Sequence, residues 1–473
     1  MSLGTFLIMR HEVLLIAAAL SVLIAEIFWN PSKKKSITVF SIILLGAITI
    51  IGFLPSTAGS IFGGMYISSG TRLLMKNILN IGALLVFIQS VTWLKLEDNS
   101  EKISEYFILL LSTLVGMNFM ISAGHFLIFY IGIELATIPI AALAAYDRYK
   151  NKSAEAGIKL ILSSALSSGI LLYGLSMIYG TTGTLYFSEV AKLFGNASLQ
   201  ILGFIFFFAG MAFKISIVPF HLWTADVYEG APVNITSYLS VISKGAAIFI
   251  LIIILFTVFP VVISTWQKTI FVTSILTMTV GNLFAIRQKN LKRFLAFSSI
   301  SQAGYILLGF IGGNQLGMAS VIYYILVYIF SNLGAFGVVV AISNATGKEN
   351  INDYDGLYQT NPKLSLIMTL ALFSLAGIPP VAGFFGKFFL FTAAAQKGFY
   401  LLVLIAVLNT IISLFYYLLV VKAMFINKSE NPVDKFKSDF ATRFSLGICV
   451  AGIVVTGFAS IIFEVIRNLS FGV

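Results

Sequence analysis

The chain reads as an all-α polytopic membrane protein of about fourteen transmembrane helices, two of them broken. Three observations predict this. Of its 473 residues, 58% are hydrophobic and only 10% charged, whereas soluble domains carry about a quarter charged residues. Apolar segments of roughly 20 residues, the length that crosses a bilayer as a helix, recur from end to end. Lys and Arg gather in alternate loops between them.

The segments fall at about 11–29, 37–54, 73–93, 105–122, 125–146, 153–180, 198–222, 233–259, 266–286, 293–312, 317–343, 362–396, 400–425 and 443–465. The first lacks the small-residue cleavage site of a secretory signal and is read as a retained span. The seventh, GMAFKISIVPFHLW, carries Pro219. Proline removes a helix hydrogen bond and crowds the preceding turn, so the span breaks there. The twelfth is longer than one straight span needs, and Gly377, Pro379, Pro380, Gly383 and Gly386 interrupt its middle. The sixth and eleventh spans both end in small residues and Thr-Gly, and each precedes a proline-broken span, about 160 residues apart. A shift of five spans inverts one copy relative to the other, the arrangement that places a transfer site between inverted halves. Four units follow: three helices in 1–104, a first repeat in 105–259, a second in 260–425, and a loop with a last helix in 426–473.

The loops test the count. With both termini outside, 19 of the 30 Lys and Arg fall in inside loops, among them Lys33, Lys34, Lys35, Arg148 and the group Arg287, Lys289, Lys292 and Arg293. Seven fall outside, including Arg72 and Lys76, and four lie within spans. This asymmetry obeys the positive-inside rule. It also accounts for the net charge of +11 without nucleic acid, for which no basic face with interleaved aromatics is present. One cysteine, Cys449, cannot hold an iron–sulfur cluster. His11, His125 and His221 have no zinc or haem spacing, and no glycine-rich nucleotide loop is present. No cofactor site is expected on this chain.

The chemistry then rests on charges at membrane depth: Lys159, Lys214, Lys244, Lys387 and Glu134. Such residues are costly in lipid and mark functional sites. Lys214 precedes the break at Pro219, and Lys387 follows the break at Pro379. A plain kink is the competing reading of one such proline; two breaks, each beside a lysine, argue for more. Lys244 lies about eleven residues into its span, roughly 16 Å, too deep to snorkel. Lys159 is two turns in, with Glu155 one turn before it, so a structural pair is the alternative there. Glu134, nine residues into the fifth span, is buried at least cost beside a lysine. A carboxylate followed by a row of lysines is a chain of coupled titrating sites, suited to vectorial proton transfer. His221 directly follows the broken span and is either a relay to the surface or an interfacial histidine. Asp226 and Glu229 are expected as hydrogen-bonding residues of a short loop.

The runs KISIVPFHLWTADVYEGAPVNITSYLSVISKGAA, FYIGIELATIP, NLKRFLAFSSISQAGY and LAGIPPVAGFFGKF resemble the antiporter-like membrane subunits of complex I, the proton-pumping NADH–quinone oxidoreductase. The resemblance covers about 105–425. It implies fourteen helices, with spans four to eight and nine to thirteen as inverted repeats. It implies a key glutamate at Glu134, a broken-helix lysine at Lys214, a central lysine at Lys244, a distal lysine at Lys387 and a further one at Lys159. Many relatives carry histidine where Gln302 stands, so a titratable relay is not expected there. Subunits L and M carry a longer acidic version of the loop after Pro219, and a subunit L would continue into a lateral helix. The resemblance implies a proton-translocating subunit of a bacterial inner membrane. It would lie against a neighbouring antiporter-like subunit and small membrane subunits, with NADH, FMN, iron–sulfur clusters and quinone held elsewhere in the complex. The rival readings are a subunit of a multi-subunit sodium/proton antiporter or related hydrogenase or photosynthetic complex, a self-contained solute transporter, and a passive scaffold.

Overall fold

The computed structural model describes residues 7–29, 36–147, 149–429 and 432–470. Lys33, Lys34, Lys35 and Arg148 lie outside the described residues. Among the described residues, twelve helices are long and apolar enough to cross a membrane. They are α1 (Arg10–Phe28), α3 (Gly70–Gln89), α4 (Ile103–Ile121), α5 (Phe126–Ala144), α6 (Asn151–Thr182), α7 (Ser198–Ile215), α9 (Val233–Thr257), α10 (Pro260–Ile286), α11 (Leu291–Ile311), α12 (Gln315–Thr346), α15 (Tyr400–Phe425) and α16 (Phe440–Phe458). Three shorter apolar helices join them: α2 (Ser36–Gly52), α13 (Pro362–Ala376) and α14 (Ala382–Ala395). Helix is what apolar sequence of this length must form in lipid, where each backbone group needs a partner within its own segment. Every residue of α11 except Arg293 is buried, as is most of α12. These two and α9 form the core, while α1, α15 and α16 turn most of their surface outward.

Two ends can be told apart. One gathers Lys150, Lys152, Lys289, Lys292 and Lys422 and is called the basic end. The other carries a small antiparallel hairpin, β1 (Gly59–Ile61) with β2 (Tyr66–Ser68), bridged through Tyr66 to Ala123. The all-α expectation missed this hairpin. A further helix, α8 (Leu222–Gly230), occupies the stretch expected as a loop. The last span also differs from expectation. It stops at Phe458, and α17 (Ser460–Leu469) turns across the hairpin end. There Thr71 Oγ1 donates to the Leu469 carbonyl, and Gln315 Nε2 donates to the Arg467 carbonyl at 2.8 Å.

Helix α7 stops at Ile215 and α8 starts at Leu222; α13 stops at Ala376 and α14 starts at Ala382. Both stops use one left-handed residue, Ser216 (φ 67°) and Gly377 (φ 85°). Each is followed by an amide reaching back over the helix end: Ile217 N to Ala212 O at 2.8 Å, and Ile378 N to Phe373 O at 3.1 Å. This is the αL cap with which helices close their last carbonyls. Helix α7 runs from the hairpin end toward the basic end, and α13 runs the opposite way.

Candidate functional site

The five charges do not form one contact network, and each is held differently. Lys214 ends α7 and its ammonium donates to Thr137 Oγ1 on α5 at 2.9 Å. Thr137 lies one turn after Glu134, so both face the same side of α5. Glu134 accepts from Ser168 Oγ on α6 at 2.5 Å. Glu134 and Lys214 form no direct ion pair among the described residues; the Thr137 hydroxyl, one turn along α5, takes the ammonium. Both side chains are half-buried.

Lys244 is 3% exposed and directly follows a π-helical turn, Leu239–Ser243. Such turns recur at functional sites because they displace one residue's direction within a helix. Asn332 on α12 donates to Ser240 in this turn at 2.5 Å. The Lys244 ammonium donates to Ser299 Oγ on α11 at 2.8 Å and stands 5.3 Å from the Tyr228 ring centre. A small cavity of about 10 Å³ lies beside it, lined by Ser299 and Tyr328, close to the least volume that admits one water.

Lys387 is also 3% exposed. Its ammonium donates to the Ala376 carbonyl at 3.0 Å and lies 4.4 Å from the Tyr305 ring centre. The carbonyl belongs to the C-terminal end of α13, where unbonded carbonyls and the helix dipole favour a cation. The ring face adds about 2 kcal/mol when desolvated. A cavity of about 270 Å³ opens beside the lysine between α14 and α15.

Helix α11 joins the last two lysines. Ser299, Gln302 and Tyr305 recur at three-residue spacing and share one face. Ser299 holds Lys244, and Tyr305 underlies Lys387. Between them Gln302 Nε2 donates to the Leu375 carbonyl at 3.0 Å and to Tyr417 Oη at 3.2 Å, while Tyr324 donates to Gln302 Oε1. A buried amide with this many partners is fully satisfied and rigid. Beyond Tyr305, Asn282 donates to Asn409 Oδ1 at 3.0 Å and accepts from Tyr416 Oη at 3.0 Å. Polar side chains therefore continue from Lys244 past Lys387.

Lys159 is placed apart from this series. Its side chain is 42% exposed and pairs with Glu155 at 2.6 Å and Asp226 at 2.9 Å. Asp226 also receives Arg293 at 2.7 Å, and Glu229 receives Arg293 at 3.1 Å and Lys152 at 3.2 Å. Helix α8 is thus tied to α6 and α11 at the basic end. Burial pushes the Asp226 carboxyl up, but hydrogen bonds from Lys159 and Arg293 outweigh this and hold it below its ordinary value. A cavity of about 440 Å³ opens here, lined by Lys152, Glu229, Asn234, Lys292 and Glu349 among others. His221 is buried at the start of α8, and its Nδ1 has no hydrogen-bond partner among the described residues. No group of three His, Cys, Asp or Glu among the described residues is placed to hold a metal.

Sequence reasoning passed over one pair. Lys76, counted among the outside residues, is fully buried in α3 and forms a 2.5 Å ion pair with Glu12 of α1. Lys76 stands only one turn into the expected span 73–93, so depth in the sequence does not single it out.

Comparison with known proteins agrees along the whole chain. Residues 123–413 match the family model described as the transmembrane region of NADH:quinone oxidoreductase and Mrp antiporter. NADH-quinone oxidoreductase subunit N of Phocaeicola vulgatus is 53% identical over 469 residues, covering 99% of each chain. A chain of respiratory complex I from Thermus thermophilus with bound aureothin superposes with a TM-score of 0.81 at 26% identity, covering 96% of this chain and 98% of that one. A chain of the Mrp complex from Dietzia sp. DQ12-45-1b reaches 0.84 at 20% identity, covering 99% of this chain and 97% of that one; at that identity the likeness is one of fold alone. The chain belongs to the family of NADH:quinone oxidoreductase and Mrp antiporter membrane subunits, and its full-length likeness lies with the subunits N.

Proposed function

We propose that this chain is the proton-translocating subunit N of a respiratory complex I, and that protons move along Glu134, Lys214, Lys244 and Lys387. The observation that carries the reading is the α11 face. Ser299, Gln302 and Tyr305 set polar groups on one helix face between two buried lysines that have no carboxylate in contact among the described residues. A lysine held only by a hydroxyl, a carbonyl and a ring keeps a charge that a small electrostatic change can remove. Glu134, one turn from Thr137, is the group whose charge sets that of Lys214. Lys159, tied to Glu155 and Asp226, and His221, next to the first break, serve the entrance at the basic end.

The same reading assigns fourteen crossings: the twelve long helices, α2, and α13 with α14 as one interrupted span. Residues 1–104 form an entry unit, 105–259 and 260–425 are inverted repeats, and 426–473 carry the last helix. The opposite directions of α7 and α13, with the same cap at each break, support the inversion. The basic end faces the cytoplasm and both termini face outward across a bacterial inner membrane, as the positive loops favour. NADH oxidation and quinone reduction, with FMN and iron–sulfur clusters, belong to other subunits. A neighbouring antiporter-like subunit and small membrane subunits complete the membrane arm.

The test is NADH-driven proton uptake by vesicles that carry the assembled complex. Lys214→Ala should abolish uptake while a native gel still shows the full assembly. Glu134 keeps its hydrogen bond from Ser168 Oγ in this variant, so the surrounding packing should hold. Parental uptake in this variant would remove Lys214 from the route.

A further inference from the structure

A second group of buried charges stands outside the axial series. Glu12 and Lys76 are paired at 2.5 Å, each side chain 1% exposed. Tyr66 of β2 closes a triangle: its hydroxyl donates to Glu12 Oε2 at 2.8 Å and accepts from Lys76 Nζ at 3.0 Å. The other ionisable groups nearby are committed elsewhere. Arg72, one turn before Lys76, donates to the carbonyls of Ile67 at 3.3 Å and Ala123 at 3.0 Å. Arg10 donates to the carbonyls of Gly52, Leu54 and Pro55. His11 Nε2 is bonded to Asn77 Oδ1 at 2.9 Å. Ser122, the neutral residue that ends α4, stands beside the Tyr66 hydroxyl. Stability alone does not ask for this pair, since apolar residues of similar volume commonly replace a buried ion pair without loss.

Two further observations connect the pair to the core. Both amide atoms of Asn80, one turn beyond Lys76, and both of Asn118 are buried with no hydrogen-bond partner among the described residues. Buried polar groups of this kind are normally satisfied by internal water. Helix α3 also packs on the helix of Lys244: a Cβ at Gly245 would meet Leu79 at 3.4 Å and Met75 at 3.7 Å. The pair thus lies between the hairpin and the neighbourhood of Lys244, with the unsatisfied Asn80 amide one turn further in along α3.

We infer that Glu12, Lys76 and Tyr66 form a further proton-transfer site, joining the axial lysines to the surface at the hairpin end. The inference rests on the proposed role of those lysines. A proton arriving from the Asn80 side binds the Glu12 carboxylate and leaves Lys76 as a lone cation. Lys76 then releases its proton outward past the Tyr66 hydroxyl. Transfer of the carboxyl proton from Glu12 to the neutral amine restores the pair, so one proton enters and one leaves.

The test uses the assembled complex in vesicles and three variants. Glu12→Gln with Lys76→Met removes both charges together and strands neither. Lys76→Arg keeps the ion pair but cannot release a proton. Tyr66→Phe keeps the pair and the volume, and is the variant least able to disturb folding. The double variant and Lys76→Arg should lose NADH-driven proton uptake by on the order of tenfold or more, with parental assembly on a native gel, and Tyr66→Phe should slow it. A purely structural pair predicts parental uptake in Lys76→Arg and in Tyr66→Phe, and that result overturns the site, whatever the double variant does. Lys214→Ala is run beside them. Loss there with parental uptake here overturns this site alone, whereas parental uptake in Lys214→Ala overturns the axial route on which it depends.

Discussion

The two breaks share a backbone and differ in what closes it. At the first, the Phe213 carbonyl is taken by the Trp223 indole at 3.0 Å. Lys214 is therefore free to leave its own helix end and reach Thr137 on the helix of Glu134. At the second, the Ala376 carbonyl is taken by Lys387 itself. The left-handed residue differs in step. Ser216 accepts a backbone strain of about 1 kcal/mol, and its hydroxyl accepts from Thr224 Oγ1 at 2.7 Å. Gly377 is required twice over: for φ 85°, and because a Cβ there would approach Lys387 Cδ to 3.0 Å. The lesson is that one cap geometry can hold a lysine in two ways. The first lysine is held by a hydroxyl on a neighbouring helix. The second answers to helix dipole and ring, with no carboxylate in contact among the described residues.

The largest effect that could break this comparison is at the second lysine. Lys387→Met should lower NADH-driven proton uptake by on the order of a hundredfold with the complex assembled; if the backbone carbonyl alone carried the role, uptake would persist. Next is Ser299→Ala, which removes the side chain that bonds Lys244. A hydrogen bond to a charged group contributes about 1.5–3 kcal/mol, so uptake should fall roughly tenfold, while Lys387-dependent steps measured in the same vesicles stay intact. Gly377→Ala then sharpens the contrast between caps. It should lower stability by about 1–2 kcal/mol and displace Lys387, read as a lower melting temperature together with slower uptake. Ser216→Gly, at the matching position, relieves strain but loses the bond from Thr224, so its melting temperature should barely move.

The smallest effect is at the basic end. The Asp226 carboxyl is held below its ordinary value by Lys159 and Arg293, so its contribution is full above the ordinary carboxylate range and is lost as pH falls through the lowered value. The complex should therefore lose a little thermal stability below about pH 4, and Asp226→Asn should lack that component. An identical pH profile in the variant would show that these ties contribute nothing.

Much of this was legible because depth is legible. Lys214, Lys244 and Lys387 stand in apolar runs where no snorkelling reaches, and prolines beside two of them announce the breaks. Lys76 escaped because it lies near a span end, where a lysine normally reaches water; only its partner on α1 buries it. Helix α8 escaped because Asp226, Glu229 and the following Gly-Ala-Pro read as a loop, and its helical form depends on ties to α6 and α11. The left-handed Ser216 and the π turn at Leu239–Ser243 carry no glycine or proline signal. Partner choice, Thr137 rather than Glu134 and Ala376 rather than a side chain, is decided by helix packing and has no trace in local sequence. Gln302 was noticed only as a departure from relatives, and its place midway along the α11 face could not be read from spacing alone.

The central claim is that Lys214 carries a proton rather than merely balancing a charge. Lys214→Arg tests it most directly, because arginine keeps a cation near Thr137 and Glu134 but does not release its proton at physiological pH. In vesicles with normally assembled complex, NADH-driven proton uptake should be lost in Lys214→Arg as fully as in Lys214→Ala. Parental uptake in the arginine variant would contradict the account and leave Lys214 as a structural cation.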